Sequence, residues 1–140
     1  MRALGLDVGS KTIGVAVTDE VGICAHALRT ISRRGTKRDV ESVASLAREL
    51  STEQIVVGMP YELDGSEGRR AARVRVFFEA LLSAGLGAEL WDERMSTAIA
   101  EEALLEADVS RARRKEVIDK LAARVILQSW LDAQPKPKAR

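Results

Sequence analysis

The chain opens on an apolar run, Ala3-Leu4-Gly5-Leu6, interrupted by Asp7 and resumed at Val8. Side chains alternate across a strand, so Leu4, Leu6 and Val8 share one face while Ala3, Gly5 and Asp7 share the other. The pattern predicts a strand over residues 2–8. Beyond a glycine-containing turn, Ile13, Val15 and Val17 alternate with Gly14, Ala16 and Thr18, which predicts a second strand over residues 13–18. Residues 25–31 form a third, and the short connections predict an antiparallel meander. The period then changes. Val40, Val43, Ala44, Ala47 and Leu50 recur at helical spacing, with Asp39 and Glu41 in the first turn.

The second half alternates between the two periods. Ile55-Val56-Val57 is β-branched and apolar, which predicts a buried strand over residues 54–58, ended by Met59-Pro60. A helix is predicted over residues 69–83, with Ala72, Val76, Phe77 and Ala80 inward, stopping near Gly85 and Gly87. A short strand follows at residues 88–91, then a helix at 97–107 and a last helix at 115–131. Strands four and five each follow a helix, the crossover arrangement of parallel pairing. The expected architecture is α/β: a five-stranded mixed sheet, three strands antiparallel and two parallel, flanked by helices. Residues 1–134 are expected to form one domain, and residues 135–140 a flexible basic tail. In such sheets ligands bind beyond the carboxyl ends of the parallel strands. Asp7 and the Asp92-Glu93 pair both fall there.

Composition narrows the classes. One cysteine, Cys24, excludes an internal disulfide framework and a multi-cysteine zinc site, and a buried apolar role is expected for it. No stretch reaches the roughly 20 apolar residues of a membrane span. The start of the chain lacks a signal-peptide pattern, so a cytoplasmic setting is expected. The net charge of +1 does not describe a strongly basic nucleic-acid binder. The charge is uneven, however, with clusters at Arg33-Arg34 and Lys37-Arg38, at Arg69-Arg70, Arg73 and Arg75, and at Arg111, Arg113, Arg114 and Lys115. Solvated helix ends account for such clusters, and so does a surface that contacts phosphates.

The candidate chemistry starts from Asp7. An ionised carboxylate in an apolar strand is costly unless a partner or an ion compensates it. Asp119 meets the same conflict: at helical spacing it shares the stripe of Ala122, Ala123, Ile126 and Trp130. Near a helix start it could instead be a first-turn aspartate favoured by the macrodipole and paired with Arg94 or Lys115. Asp92 and Glu93 supply a third acid, one facing the site and the other bracing it. Ser96 and Thr97 also read as caps of the following helix. The lone His26 has no partner ligand nearby in sequence and reads as structural. Three carboxylates without histidine or cysteine suit a hard cation, Mg²⁺ or Mn²⁺. Two such ions between carboxylates serve phosphoryl displacement, and Lys11 and Arg94 are placed to hold phosphate oxygens.

Gly5-Leu6-Asp7-Val8-Gly9-Ser10-Lys11-Thr12-Ile13-Gly14-Val15-Ala16-Val17, Val57-Gly58-Met59-Pro60, Asp64-Gly65-Ser66-Glu67-Gly68, Asp92-Glu93-Arg94-Met95-Ser96-Thr97 and Asp119-Lys120-Leu121-Ala122-Ala123 occur in order over nearly the whole chain. Together they resemble the YqgF/RuvX family. The resemblance implies a ribonuclease H-like fold and a metal-dependent nuclease that processes the 5′ end of pre-16S rRNA in ribosome biogenesis, similar to Holliday-junction resolvases. It implies that Asp7, Glu93 and Asp119 are the catalytic metal ligands, with Asp92 as the alternative at strand five. It implies Lys11, Arg94, Ser96 and Thr97 on the substrate, a nucleic-acid partner (precursor rRNA, or a DNA junction) and a homodimer like that of resolvases. One departure stands out. Resolvases of this fold carry an acid at the end of the fourth strand, where this chain has Val57-Gly58-Met59-Pro60. Two other classes remain beside the nuclease: a non-catalytic RNA- or ribosome-binding module, and a phosphate-binding half of sugar-kinase type, which needs a second lobe to close over ATP.

Overall fold

Strand β1 (Arg2–Val8) lies at the centre of a five-stranded sheet, as its apolar residues on both faces require. The computed structural model describes residues 2–93 and 111–135. In chain order they form β1, β2 (Thr12–Thr18), β3 (Ala25–Ser32), α1 (Thr36–Glu49), β4 (Thr52–Met59), α2 (Arg69–Ser83), β5 (Ala88–Asp92) and α3 (Arg111–Asp132). The sheet order is β3-β2-β1-β4-β5. The meander β1–β2–β3 is antiparallel, while β4 pairs parallel with both β1 and β5. This is the mixed sheet that the sequence pattern predicts. The helix expected over residues 97–107 and tail residues 136–140 lie outside the described residues. No described helix is long and apolar enough to cross a membrane.

The alternation along β1 divides the molecule into two layers. Leu4, Leu6 and Val8 pack with Val43 of α1 and with Val74, Phe77 and Leu81 of α2. Ala3, Ala16 and Val56 meet Ala123, Ile126, Leu127 and Trp130 of α3 on the opposite face. Each large apolar side chain removed from water in these layers contributes about 1.5–3 kcal/mol. Small residues beneath α3 let it come close to the sheet. A Cβ on Gly5 would stand 2.7 Å from Leu127 Cβ and 3.0 Å from the Ala123 carbonyl oxygen. Polar contacts fix the helix at both sheet edges. Gln128 accepts from the Ala25 amide (2.8 Å) and Arg124 donates to the Ala25 carbonyl (3.2 Å), while Trp91 donates to Ser129 Oγ (3.1 Å).

Three expectations change. The inward residues of α2 are Ala71, Val74, Phe77 and Leu81, whereas Ala72 faces solvent and Val76 is 59% exposed. Both sets fit helical spacing through Phe77, and burying the larger Leu81 decides between them. Cys24 is exposed in the β2–β3 turn, not buried. Helix α3 begins at Arg111, so Asp119 lies about two turns into it and the helix-end reading of this acid lapses.

Candidate active site

Two of the predicted acids meet where β1 and β5 end. Asp7 is the penultimate residue of β1, opposite Gly14 of β2, and is half-buried on the face that α3 covers. Glu93 follows β5 directly, and its amide donates to the Met59 carbonyl at 3.2 Å, extending the β5–β4 ladder by one residue. That bond aims the Glu93 side chain inward, leaving it 5% exposed, while the adjacent Asp92 is exposed. The alternation of a strand end therefore selects Glu93 over Asp92 as the acid beside Asp7.

The electrostatics of this pair are unfavourable as the residues stand. Burial pushes the Glu93 carboxyl up to about 7, and the negative charge of Asp7 adds to the effect. A hydrogen bond with Asp7 and the charge of Asp92 act in the same direction, while Arg70 opposes them. Among the described residues, Glu93 Oε2 is buried with no hydrogen-bond partner. Such an orphaned acceptor is worth about 1–3 kcal/mol of lost solvation. Two close carboxylates, one with a lone pair to spare, fit a hard divalent cation by donor chemistry and by charge.

The fourth strand makes room for this carboxylate. A Cβ on Gly58 would lie 2.6 Å from Glu93 Oε2 and would also overlap Ile126 Cδ1. At the end of β4 the glycine leaves space that the Glu93 carboxylate fills. Gly58→Ala is expected to destabilise the protein by about 1–3 kcal/mol through overpacking. It should also lower Mn²⁺ affinity by displacing Glu93. Urea unfolding and Mn²⁺ titration of the same variant check both effects; unchanged cation affinity would separate Gly58 from the site.

A cleft of about 280 Å³ opens from Asp7 along the β1–β2 turn, with Ser10, Lys11 and Thr12 on one side and Arg70 and Arg73 on the other. The turn is braced from below. Arg33 donates to the Gly9 carbonyl (2.8 Å) and to Asp39 (2.7 Å), and Asp39, 1% exposed, also accepts from the Arg34 amide (3.0 Å). The Arg33 amide donates to the Lys11 carbonyl (2.9 Å). Asp39 is the first-turn acid that the sequence predicts for α1, and it also anchors the network that holds the loop beside Asp7.

Of the sequence-predicted set, Asp7, Lys11 and Glu93 come together. Asp119 belongs to α3, one turn before the stripe packed on the sheet, and its side chain lies outside the described residues. Arg94, Ser96 and Thr97 also lie outside them. Among the described residues no group of three His, Cys, Asp or Glu side chains that could hold a metal assembles. Sequence reasoning missed Gly58 as part of the site, and it named Arg70 and Arg73 only within a basic cluster that could contact phosphates, without singling them out. A signal for Arg70 existed: it heads the inward stripe continued by Val74, Phe77 and Leu81.

Comparison with known proteins adds the family and the fold. The model of the family RuvX, described as Holliday junction resolvase, matches residues 1–133. A Myxococcus xanthus protein named as a candidate pre-16S rRNA nuclease is 52% identical over 138 residues, covering 98% of this chain and 91% of its own length. A Symbiobacterium thermophilum protein of the same name is 54% identical over 135 residues, covering 96% and 94%. Among solved structures, Thermus thermophilus RuvC in complex with a Holliday junction matches with a TM-score of 0.60 at 18% identity, covering 95% of this chain and 97% of RuvC. The large terminase nuclease of phage G20c matches with a TM-score of 0.57 at 14% identity, covering 92% and 81%. These structural matches establish a shared fold.

Proposed function

This chain belongs to the RuvX family, and from that premise we propose that it is a divalent-metal-dependent nuclease that hydrolyses phosphodiester bonds of precursor ribosomal RNA near the 5′ end of 16S rRNA. The observation that carries the reading is the buried Glu93 carboxylate beside Asp7, one oxygen unbonded among the described residues, at the carboxyl ends of β1 and β5. The choice of RNA is supported by the names of the relatives at 52% and 54% identity.

In this reading Asp7 and Glu93 hold the cation, and Asp119, from the turn of α3 preceding the packed stripe, completes the set. Mg²⁺ or Mn²⁺, as a pair of ions, would supply charge neutralisation at the phosphate and a more acidic attacking water. The chain does the rest. Glu93, held protonated by its buried setting, would ionise on taking up a cation, because the attraction would offset the cost of charging it. Lys11, on the exposed turn that Arg33 braces, reaches the phosphate oxygens from the side opposite α2. Arg94, Ser96 and Thr97 follow Glu93 directly in sequence and would meet the strand next to it.

The test offers the purified protein a precursor 16S rRNA 5′ fragment and a four-way DNA junction, each with Mg²⁺, Mn²⁺ or EDTA. Cleavage of the RNA in the presence of either cation, and none in EDTA, is expected. Cutting of the junction with the RNA spared would make the protein a DNA resolvase. RNA binding indifferent to EDTA, with neither substrate cut, would make it a binding module.

A further inference from the structure

Four arginines, on α2 and at the end of β3, divide by their partners into two pairs. Arg33 is committed to Asp39 and the Gly9 carbonyl. Arg75 makes a two-pronged bond with Glu67, at 2.7 and 2.8 Å. Arg70 and Arg73 pair with no carboxylate among the described residues, and both line the cleft that contains Asp7. Three residues apart on α2, they share a face of the helix. Arg70 stands at the head of the inward stripe, where α2 overhangs the strand ends, near enough for its charge to act on Glu93. Arg73 lines the cleft and also an adjoining hollow formed with Ser10, Gly35 and Thr36.

Two like charges on one helix face, in the first turns where the dipole also disfavours cations, are a standing cost without an anion. A nucleic-acid strand supplies anions at a regular interval. Resting on the nuclease reading above, we infer that Arg70 and Arg73 form the wall of the cleft that grips the backbone of the substrate strand, Arg70 on the phosphate at the carboxylates and Arg73 on a neighbouring phosphate in the adjoining hollow. The two arginines face Lys11 across the cleft, so the strand passes between α2 and the β1–β2 turn. The guanidinium fork suits both positions because it donates in pairs to phosphate oxygens.

The two roles separate in kinetics. Arg70→Ala should lower kcat by about tenfold or more, since its phosphate gains charge in the reaction. Arg73→Ala should raise KM by about tenfold and leave kcat close to wild type. Arg69→Ala is the control: the same charge, in the same turn, but outside the cleft. A binding arm removes any dependence on cleavage. Full-length Asp7→Asn protein is titrated with a fluorescent single-stranded RNA 12-mer from 50 to 200 mM KCl, alone and with each arginine replaced. Loss of one phosphate contact should flatten the plot of log K against log salt by about 0.7 for each of Arg70 and Arg73. Arg69→Ala should leave it unchanged. Equal effects from all three arginines would reduce the cleft wall to general charge and overturn the inference; so would no effect from Arg70 or Arg73. A wild-type protein that cleaves nothing would instead remove the nuclease reading, with the salt slopes still reporting on the arginines.

Discussion

Asp7→Asn should abolish cleavage, lowering the single-turnover rate by about three orders of magnitude or more, and leave the fold intact. The magnitude is that of removing a group which stabilises charge developing in the transition state. The fold survives because asparagine keeps the shape of aspartate, and the position opposite Gly14 in β2 tolerates it. Removing this charge also relieves one of the effects that push Glu93 upward, so the variant should unfold at a urea concentration equal to or above that of the wild type. Circular dichroism and a urea melt, run beside the cleavage assay, separate the chemical role from folding. Wild-type activity in this variant with Mn²⁺ supplied would remove Asp7 from the mechanism.

Glu93→Gln should make the metal-free protein more stable at alkaline pH. The sign follows from linkage. The Glu93 carboxyl sits at about 7 in the folded chain against an ordinary value of 4.5, so between these limits the folded state binds more protons than the unfolded state. The stability this group contributes is complete below pH 4.5 and is lost as pH rises through 7. A gap of this size corresponds to a contribution of about 3 kcal/mol. In EDTA, then, the wild type should weaken by up to that amount between pH 4.5 and 8. The glutamine variant should lack this portion of the slope and exceed the wild type at pH 8. Urea unfolding at both pH values reads the difference, and parallel curves for the two proteins would contradict the buried, charge-crowded setting assigned to Glu93. The same substitution should eliminate cleavage, an opposition of stability and activity expected where a site holds strained charge.

How much of this was legible in the sequence depends on the kind of signal each residue carries. The sheet was readable because its strands are written in period two and its crossovers in period 3.6, and Asp7 was conspicuous because charge interrupts the first of these patterns. Glu93 was legible only as one of a pair with Asp92, since adjacent acids at a strand end carry no internal sign of which turns inward. The hydrogen bond that the Glu93 amide donates to the Met59 carbonyl settles that orientation, and it is a tertiary contact. Asp39 was legible as the first-turn acid of α1, which it is, but not as the anchor of Arg33. A helix-start acid and the anchor of Arg33 look alike until β3 brings Arg33 back across the β1–β2 turn. Gly58 carried its message silently: the absence of a side chain has meaning only when Glu93 and Ile126 are seen to occupy the space. On α2, Arg70 is legible only as one of a basic cluster, because the helical period alone does not decide whether Leu81 or Ala80 turns inward.

If Asp7 and Glu93 are the ligands of a hard cation, the sign is read most directly by calorimetric Mn²⁺ titration of the metal-free protein at pH 7, in two buffers of different ionisation heat. Saturable Mn²⁺ binding by the wild type is expected, with release of about half a proton, because the Glu93 carboxyl sits at about 7 and must ionise to bind. Binding should be lost, or weakened by orders of magnitude, in both Asp7→Asn and Glu93→Gln. Mn²⁺ binding of wild-type strength in either variant, with no proton released by the wild type, would contradict that ligand pair.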